Sequence, residues 1–273
     1  MGHSNSTYVM VGAVCAVWAL SQPVRRSGAA SANASHQATS GLDTVTHAPG
    51  FDVAVVPTLM GFTVDSITLS YVVTVVPTAR DSLTSFTVDA PGVLHVQAPT
   101  GVAGWWTSMS WHTRPTAGWG VDSAFVAPGL STPALTYAAR GAVDIVQYWA
   151  EVDAPPDTVD TVLASDSIPT PPSADTVITL RGATGLTVGV GPMPADLSPD
   201  GLAARLANLV TRACGLGWVD DQGVCKSLSV KAKPDSGTLG ALLHELDAQR
   251  GKHVSEAAYI LLSANARSLL SRM

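Results

Sequence analysis

Phe62 to Val76 read FTVDSITLSYVVTVV. Within this stretch Ile67, Leu69, Tyr71, Val73 and Val75 are apolar, while Ser66, Thr68, Ser70 and Thr74 between them are polar. Successive side chains of a strand point to opposite faces, so a period of two predicts a β-strand with one face in a core. The apolar face is continuous over five positions, which is enough to fix the register of a sheet.

Similar short runs lie at Leu83 to Ala90, Val93 to Ala98, Trp105 to His112, Val121 to Val126, Ala134 to Ala139 and Val143 to Val152. Turn residues separate them: Pro77, Pro91-Gly92, Pro99-Thr100-Gly101, Pro115, Pro128-Gly129 and Gly141. About seven short strands with turn signals every 8 to 12 residues predict an antiparallel immunoglobulin-like β-sandwich over residues 49–153. On the strands' parity the core takes Leu69, Tyr71, Val73, Val75, Phe86, Val88 and Trp111. No cysteine falls in this region, so the inter-sheet disulfide of antibody domains is absent.

Residues 154–191 are rich in Pro, Asp and Thr and read as a linker, with room for a strand pair within Thr176 to Val190. Asp153, Asp157, Asp160 and Asp166 lack the regular spacing and closing Glu of a calcium loop. The glycines that follow precede no Lys-Ser/Thr and form no phosphate loop.

From residue 192 the period becomes 3.6. Ser198 with Pro199 opens a helix whose apolar face is Leu202, Leu206, Leu209, Val210 and Ala213, and Gly215 and Gly217 close it. A second helix starts near Asp220 or Asp221 and fades by Pro234. A third, with Ser236 as cap, carries Leu239, Leu242, Leu243 and Leu246 and stops at Gly251. The fourth is capped by Ser255, with Tyr259, Leu262, Ala266, Leu269 and Leu270 on one face and Val254 stapling Tyr259. The fold class is therefore α+β and multidomain: a sandwich, then a small helical bundle over residues 192–273. No period of 20 to 50 residues recurs, which excludes a repeat array.

Of the 273 residues only 13% are charged, while 46% are hydrophobic. That excludes a disordered chain and a coiled coil. Residues 41–197 hold four basic groups against fourteen acidic ones and no lysine, whereas residues 198–273 are slightly basic. No Lys/Arg stripe for phosphate neutralisation exists, so nucleic acid is excluded as a partner.

Tyr8 to Leu20 is a run of 13 apolar or small residues. At ~1.5 Å per residue it covers only about 20 Å of a ~30 Å hydrocarbon core, so it fits a signal-peptide h-region. Residues 1–21 are read as that signal peptide, followed by a disordered leader over residues 22–48. The alternative is an uncleaved anchor, because Arg25 and Arg26 follow the run and no basic residue precedes it. A membrane is a partner only in that case. Cys15 would leave with the signal, and the remaining Cys214 and Cys225 are then expected to form a disulfide. Together these place the protein outside the cytoplasm, secreted or on the cell surface.

The segment ACGLGWVDDQGVCKSL from Ala213, followed by ELDAQRGKHVSEAAYILLSANARSLLSRM to Met273, resembles the C-terminal helical domain called FIMAH that ends many exported bacterial proteins, some secreted hydrolases among them. Gln249-Arg250-Gly251-Lys252 is its most specific part, and the stretch from Lys226 to Gly240 is shorter than the family pattern. The resemblance implies an accessory or attachment role outside the cytoplasm and names no ligand.

Catalytic patterns are scarce. His244-Glu245 starts like a zinc-protease helix, but Ala248 stands where the second histidine is needed, and His253 lies beyond Gly251. No nucleophile elbow occurs, and Glu151 is the only Glu before the bundle. The expectation is a non-enzymatic protein with no cofactor and no metal. Binding falls to the tryptophans: Trp105, Trp106, Trp111 and Trp119 lie within fifteen residues. In a strand from Trp105 to His112, the residues Trp105, Thr107, Met109 and Trp111 share the core face and Trp106 is left on the other. Trp106 and Trp119 are the candidates for stacking on a ligand. The partner is then an unidentified protein or glycan. The function read from the sequence is an exported accessory protein, its sandwich for binding or display and its helices for attachment or protein contact. The alternatives are a carbohydrate-binding module using exposed Trp and a divergent secreted hydrolase.

Overall fold

A computed structural model describes residues 45–47, 50–63, 66–111, 114–122, 125–152 and 180–273, and among these described residues are ten strands and four helices. The expected signal segment, most of the expected leader, Asp153 and residues 154–179 of the expected linker lie outside the described residues, as does the side chain of Trp111.

The strand that decides the fold is β3 (Ile67–Val75), and Ile67, Leu69, Tyr71, Val73 and Val75 are all buried as their parity requires. It pairs antiparallel with β2 (Val53–Phe62) on one side and β8 (Leu135–Ala139) on the other, and β5 (Val93–Gln97) adds outside β8. The second sheet contains β1 (Val45–His47), β4 (Leu83–Asp89), β6 (Trp105–Trp111), β7 (Arg114–Val121), β9 (Ala142–Val152) and β10 (Leu180–Gly191). Its order is β1-β10-β9-β4-β7-β6.

Within these sheets β2-β3-β8 and β10-β9-β4 repeat the A-B-E and G-F-C arrangement of an immunoglobulin-like sandwich. What differs is the middle of the chain. After β4 the chain crosses to add β5 beside β8, as strand D does beside E, and then returns to add a β6–β7 hairpin beside β4 that is the addition to this arrangement. In place of the disulfide between sheets stands a cluster of aromatic rings. Phe86 is 5.6 Å from Tyr71 and 5.6 Å from Tyr148, while Tyr71 stacks on Tyr137 at 6.0 Å. Such pairs contribute ~0.5–1.5 kcal/mol each beyond the area they bury. Burial pushes the Tyr137 phenol up to about 12, and it raises Tyr71 as well.

Four sequence expectations need correction. Arg114–Val121 is a strand although Pro115 reads as a turn, because Pro115 sits at the strand's first residues, where a missing N–H is tolerated. The strand expected from Val121 to Val126 does not appear as such among the described residues: Val121 ends β7, and Val126 makes an isolated bridge to Leu83. Leu180–Gly191 is not a strand pair but one long strand joined to β9 over ten residue pairs, so the expected linker ends inside the sheet. Val45–His47, read as the end of a disordered leader, pairs in parallel with β10.

The helices are α1 (Pro199–Gly215), α2 (Gln222–Lys231), α3 (Ser236–Gln249) and α4 (Glu256–Leu270). Ser198 and Ser255 cap α1 and α4, as expected from the sequence. The cap of α3 is Asp235 rather than Ser236, its carboxylate accepting from the Thr238 N–H at 2.8 Å. Cys214 and Cys225 are disulfide-bonded with Cα atoms 6.1 Å apart, clipping the end of α1 to the first turn of α2.

Helix α4 is buried on more than the face read from its sequence. Leu262, Ala266 and Leu269 are fully buried, and so are Ile260, Leu261 and Ala264. The reason is that α4 packs against α1 and α3 and also against β2, β9 and β10. The connector from Gly191 to Pro199 is short, and residues 41–273 form one compact unit instead of a sandwich with a tethered bundle.

Candidate functional site

Trp106 is placed by β6, which among the described residues is an edge strand paired with β7. Its cross-strand partner is Gly120, and a Cβ at residue 120 would fall inside the indole. The ring therefore lies flat across Gly120, which only a glycine permits. Trp106 is 45% exposed. Trp106, Gly120, Ser85 and Glu151 stand side by side on four adjacent strands; Gly120 and Ser85 are buried and Glu151 half-buried, so the indole is the exposed outer end of this row. An aromatic ring backed by a sheet on one side and open on the other is pre-organised for stacking, since it loses little freedom when a ligand ring covers it.

The other candidate is overturned. Trp119 is fully buried and its indole N–H donates to the Gln97 carbonyl at 3.0 Å. Its neighbours on β7 explain this: Trp119 pairs with Phe86 of β4, so the two share the inward face. Met109, expected on the core face with Trp105, is 53% exposed. The register of β6 shifts between Ser108 and Ser110, and a bulge at that point breaks the alternation. Trp105, before the bulge, packs against the core as expected.

Of the residues weighed for catalysis, Glu245 and His253 each face a charged neighbour. Glu245 pairs with Lys231 at 2.6 Å and accepts from Ser227 at 2.9 Å, joining α2 to α3. His253 Nδ1 lies 2.9 Å from Asp220 in the turn before α4. Arg250, within the Gln249–Lys252 stretch, donates to Glu256 and lies 4.1 Å above the Tyr259 ring. That contact with Glu256 raises the already high guanidinium pKa. No group of three His, Cys, Asp or Glu side chains that could hold a metal occurs among the described residues.

A second concave site was not read from the sequence. Where α1 and α4 meet the sandwich there is a cleft of about 350 Å³. Its floor is Ile67, Val143, Leu202 and Ala264, and Phe62, Met193 and Leu197 stand at its mouth. Arg272 supplies the sole charged group among the residues that line it. The walls are held by a polar clamp. Arg205 donates to the Asp144 carboxylate at 3.0 Å and to the Val143 carbonyl at 3.1 Å, and Asn265 donates to the same carbonyl at 2.9 Å. Two large apolar residues, Met193 and Leu197, in an otherwise Pro/Asp/Ser connector were the available signal. Helical and strand periodicity do not register a cleft formed between elements distant in sequence.

No protein-family model matches the chain, and no curated protein does. Among solved structures, a similarity is found to an uncharacterized protein from Nocardia farcinica with an immunoglobulin-like fold, at 15% identity and a TM-score of 0.28. It covers 38% of this chain and 87% of that one. No helix among the described residues is long and apolar enough to cross a membrane.

Proposed function

We infer that the chain is an exported, non-enzymatic accessory protein that binds its target through the exposed edge of the larger sheet at Trp106. The observation that carries this reading is the half-exposed indole held flat by Gly120 at an edge of the sheet. A flat aromatic platform suits the apolar face of a sugar ring. A glycan outside the cytoplasm is therefore the target proposed first, and a protein surface second.

Export is supported by the apolar run from Tyr8 to Leu20 and by the disulfide, which persists only in oxidising surroundings. The likeness of residues 213–273 to FIMAH domains supports an accessory or attachment role for the helices. Because the helices are braced on the sandwich by Arg205, Arg212 and Asn265, they would hold the binding face in a fixed orientation.

The test is retention of the purified chain on insoluble polysaccharides and in glycan-containing native gels. Binding that falls at least about tenfold in Trp106→Ala, a loss of ~1.4 kcal/mol, supports the reading. Binding unchanged by that substitution removes Trp106 from the site, and turnover on an ester, peptide or glycan panel replaces the reading with a hydrolase.

A further inference from the structure

The cleft between the sandwich and the helices is independent of Trp106, and we propose that it binds a single-chain anionic amphiphile, a medium-chain fatty carboxylate, with the alkyl chain inside and the carboxylate on Arg272. Three observations converge on this class.

The first is volume. About 350 Å³ lies at the lower end of the ~300–1,000 Å³ typical of small-molecule sites. It admits one flexible chain and is too small for a helix or for a folded partner. The second is the distribution of apolar surface. The floor residues Ile67 and Leu202 are buried, yet Phe62 and Met193 at the mouth are 48% and 52% exposed. Large apolar side chains left in water around a cavity become buried only when something enters it.

The third is charge. Arg272 is exposed at the rim, and no acidic residue is among the described residues that line the cleft. Among the described residues Arg272 has no carboxylate within ion-pair distance, unlike Arg205, Arg212 and Arg250. A guanidinium presents paired N–H donors that match a carboxylate, so one anionic group at the mouth completes the set. Phe62 and Met193 would close over the first methylenes, and the head group would stay at the surface. No bond is made or broken.

The experiment is calorimetric titration of the full chain with hexanoate, octanoate, decanoate and dodecanoate below their micellar concentrations. Burial of each added methylene is expected to raise affinity about fourfold until the cleft is full, after which the gain stops. Arg272→Ala should weaken dodecanoate about fivefold and leave dodecanol unchanged, because an exposed ion pair contributes little more than that. Ser268→Phe, on the half-buried wall, should abolish binding while the circular dichroism and melting temperature stay those of the parent chain. If that variant unfolds, Met193→Glu at the exposed mouth serves the same purpose. Absence of saturable binding by dodecanoate overturns the proposal. So does equal affinity for dodecyltrimethylammonium, or binding that survives both Arg272→Ala and a folded mouth or wall variant. Loss of glycan retention in Trp106→Ala leaves this result untouched, so the two sites fail separately.

Discussion

The hydroxyl of Tyr71 donates to the main-chain carbonyl of Val188 at 2.8 Å, joining residues 117 positions apart in the chain. Beside it, the N–H of Val190 donates to the hydroxyl of Tyr137 at 2.9 Å. Among the described residues the strand β10 has a strand partner on its second side at Leu180–Gly182, and beyond that point its backbone groups use other partners. The two buried phenols supply them, and they tie the last strand of one sheet to the centre of the other.

Tyr71→Phe keeps the ring and removes this donor, leaving a buried carbonyl unpaired. Urea unfolding should show a loss of about 1–3 kcal/mol with an unchanged slope. Tyr137→Phe should behave similarly, since it strands the Val190 N–H.

Alkali should unfold the protein at a lower pH than surface tyrosines would explain. The folded-state pKa of Tyr137 is raised to about 12 by burial, above the ~10 of the unfolded chain, and Tyr148 is raised to about 12 by burial and by Asp52. In the folded state these phenols keep their protons where the unfolded chain loses them. Their contribution is thus intact below pH ~10 and declines as pH rises from there toward 12, by ~1.4 kcal/mol per pH unit for each such group. Thermal melts from pH 9 to 12, compared with the Tyr137→Phe variant, measure the slope.

Asp144 receives both Arg205 and Arg212, at 3.0 and 3.2 Å, and its side chain is only 14% exposed. Asp144→Asn should cost about 1–3 kcal/mol and speed hydrogen exchange in α1 and α4 more than in the sheets. Arg212→Ala should cost less than about 1 kcal/mol, because that arginine is half-exposed.

Replacing Cys214 and Cys225 together by Ser should lower stability by about 2–3 kcal/mol, the chain entropy of a loop spanning 11 positions. Exchange should accelerate first at the end of α1 and in α2, where the clip acts.

Gly120→Ala should displace the Trp106 indole without unfolding the sheet, because the added Cβ takes the ring's place. The indole N–H resonance of Trp106, assigned by Trp106→Phe, should move toward solvent values, and any glycan retention should fall with it.

Much of this fold is legible in single stretches. The alternation from Ile67 to Val75, the Ser198-Pro199 start of α1 and the Ser255 cap of α4 each state their structure locally, because period and capping chemistry act within a few residues. The Cys214–Cys225 pair is also legible, since it closes a short loop between two helix ends. Trp106 could be placed on the outward face because the register of its strand is unbroken from Trp105 to Ser108.

Other features depended on partners far along the chain. The bulge that exposes Met109, the burial of Trp119 beneath Phe86, and the addition of β10 to the sheet follow from pairing between strands, which local periodicity does not encode. The second buried face of α4 exists because β2, β9 and β10 cover it. The cleft beneath Phe62 and Met193 exists because α1 and α4 rest on the corner held by Asp144 and Val143. The sequence by itself determined the elements, their caps and the disulfide, all set by interactions a few residues in range. Only the tertiary structure decided the strand order, the joining of sandwich and helices into one body, and both candidate sites, because each is a surface made where distant segments meet and its shape is fixed by packing between them.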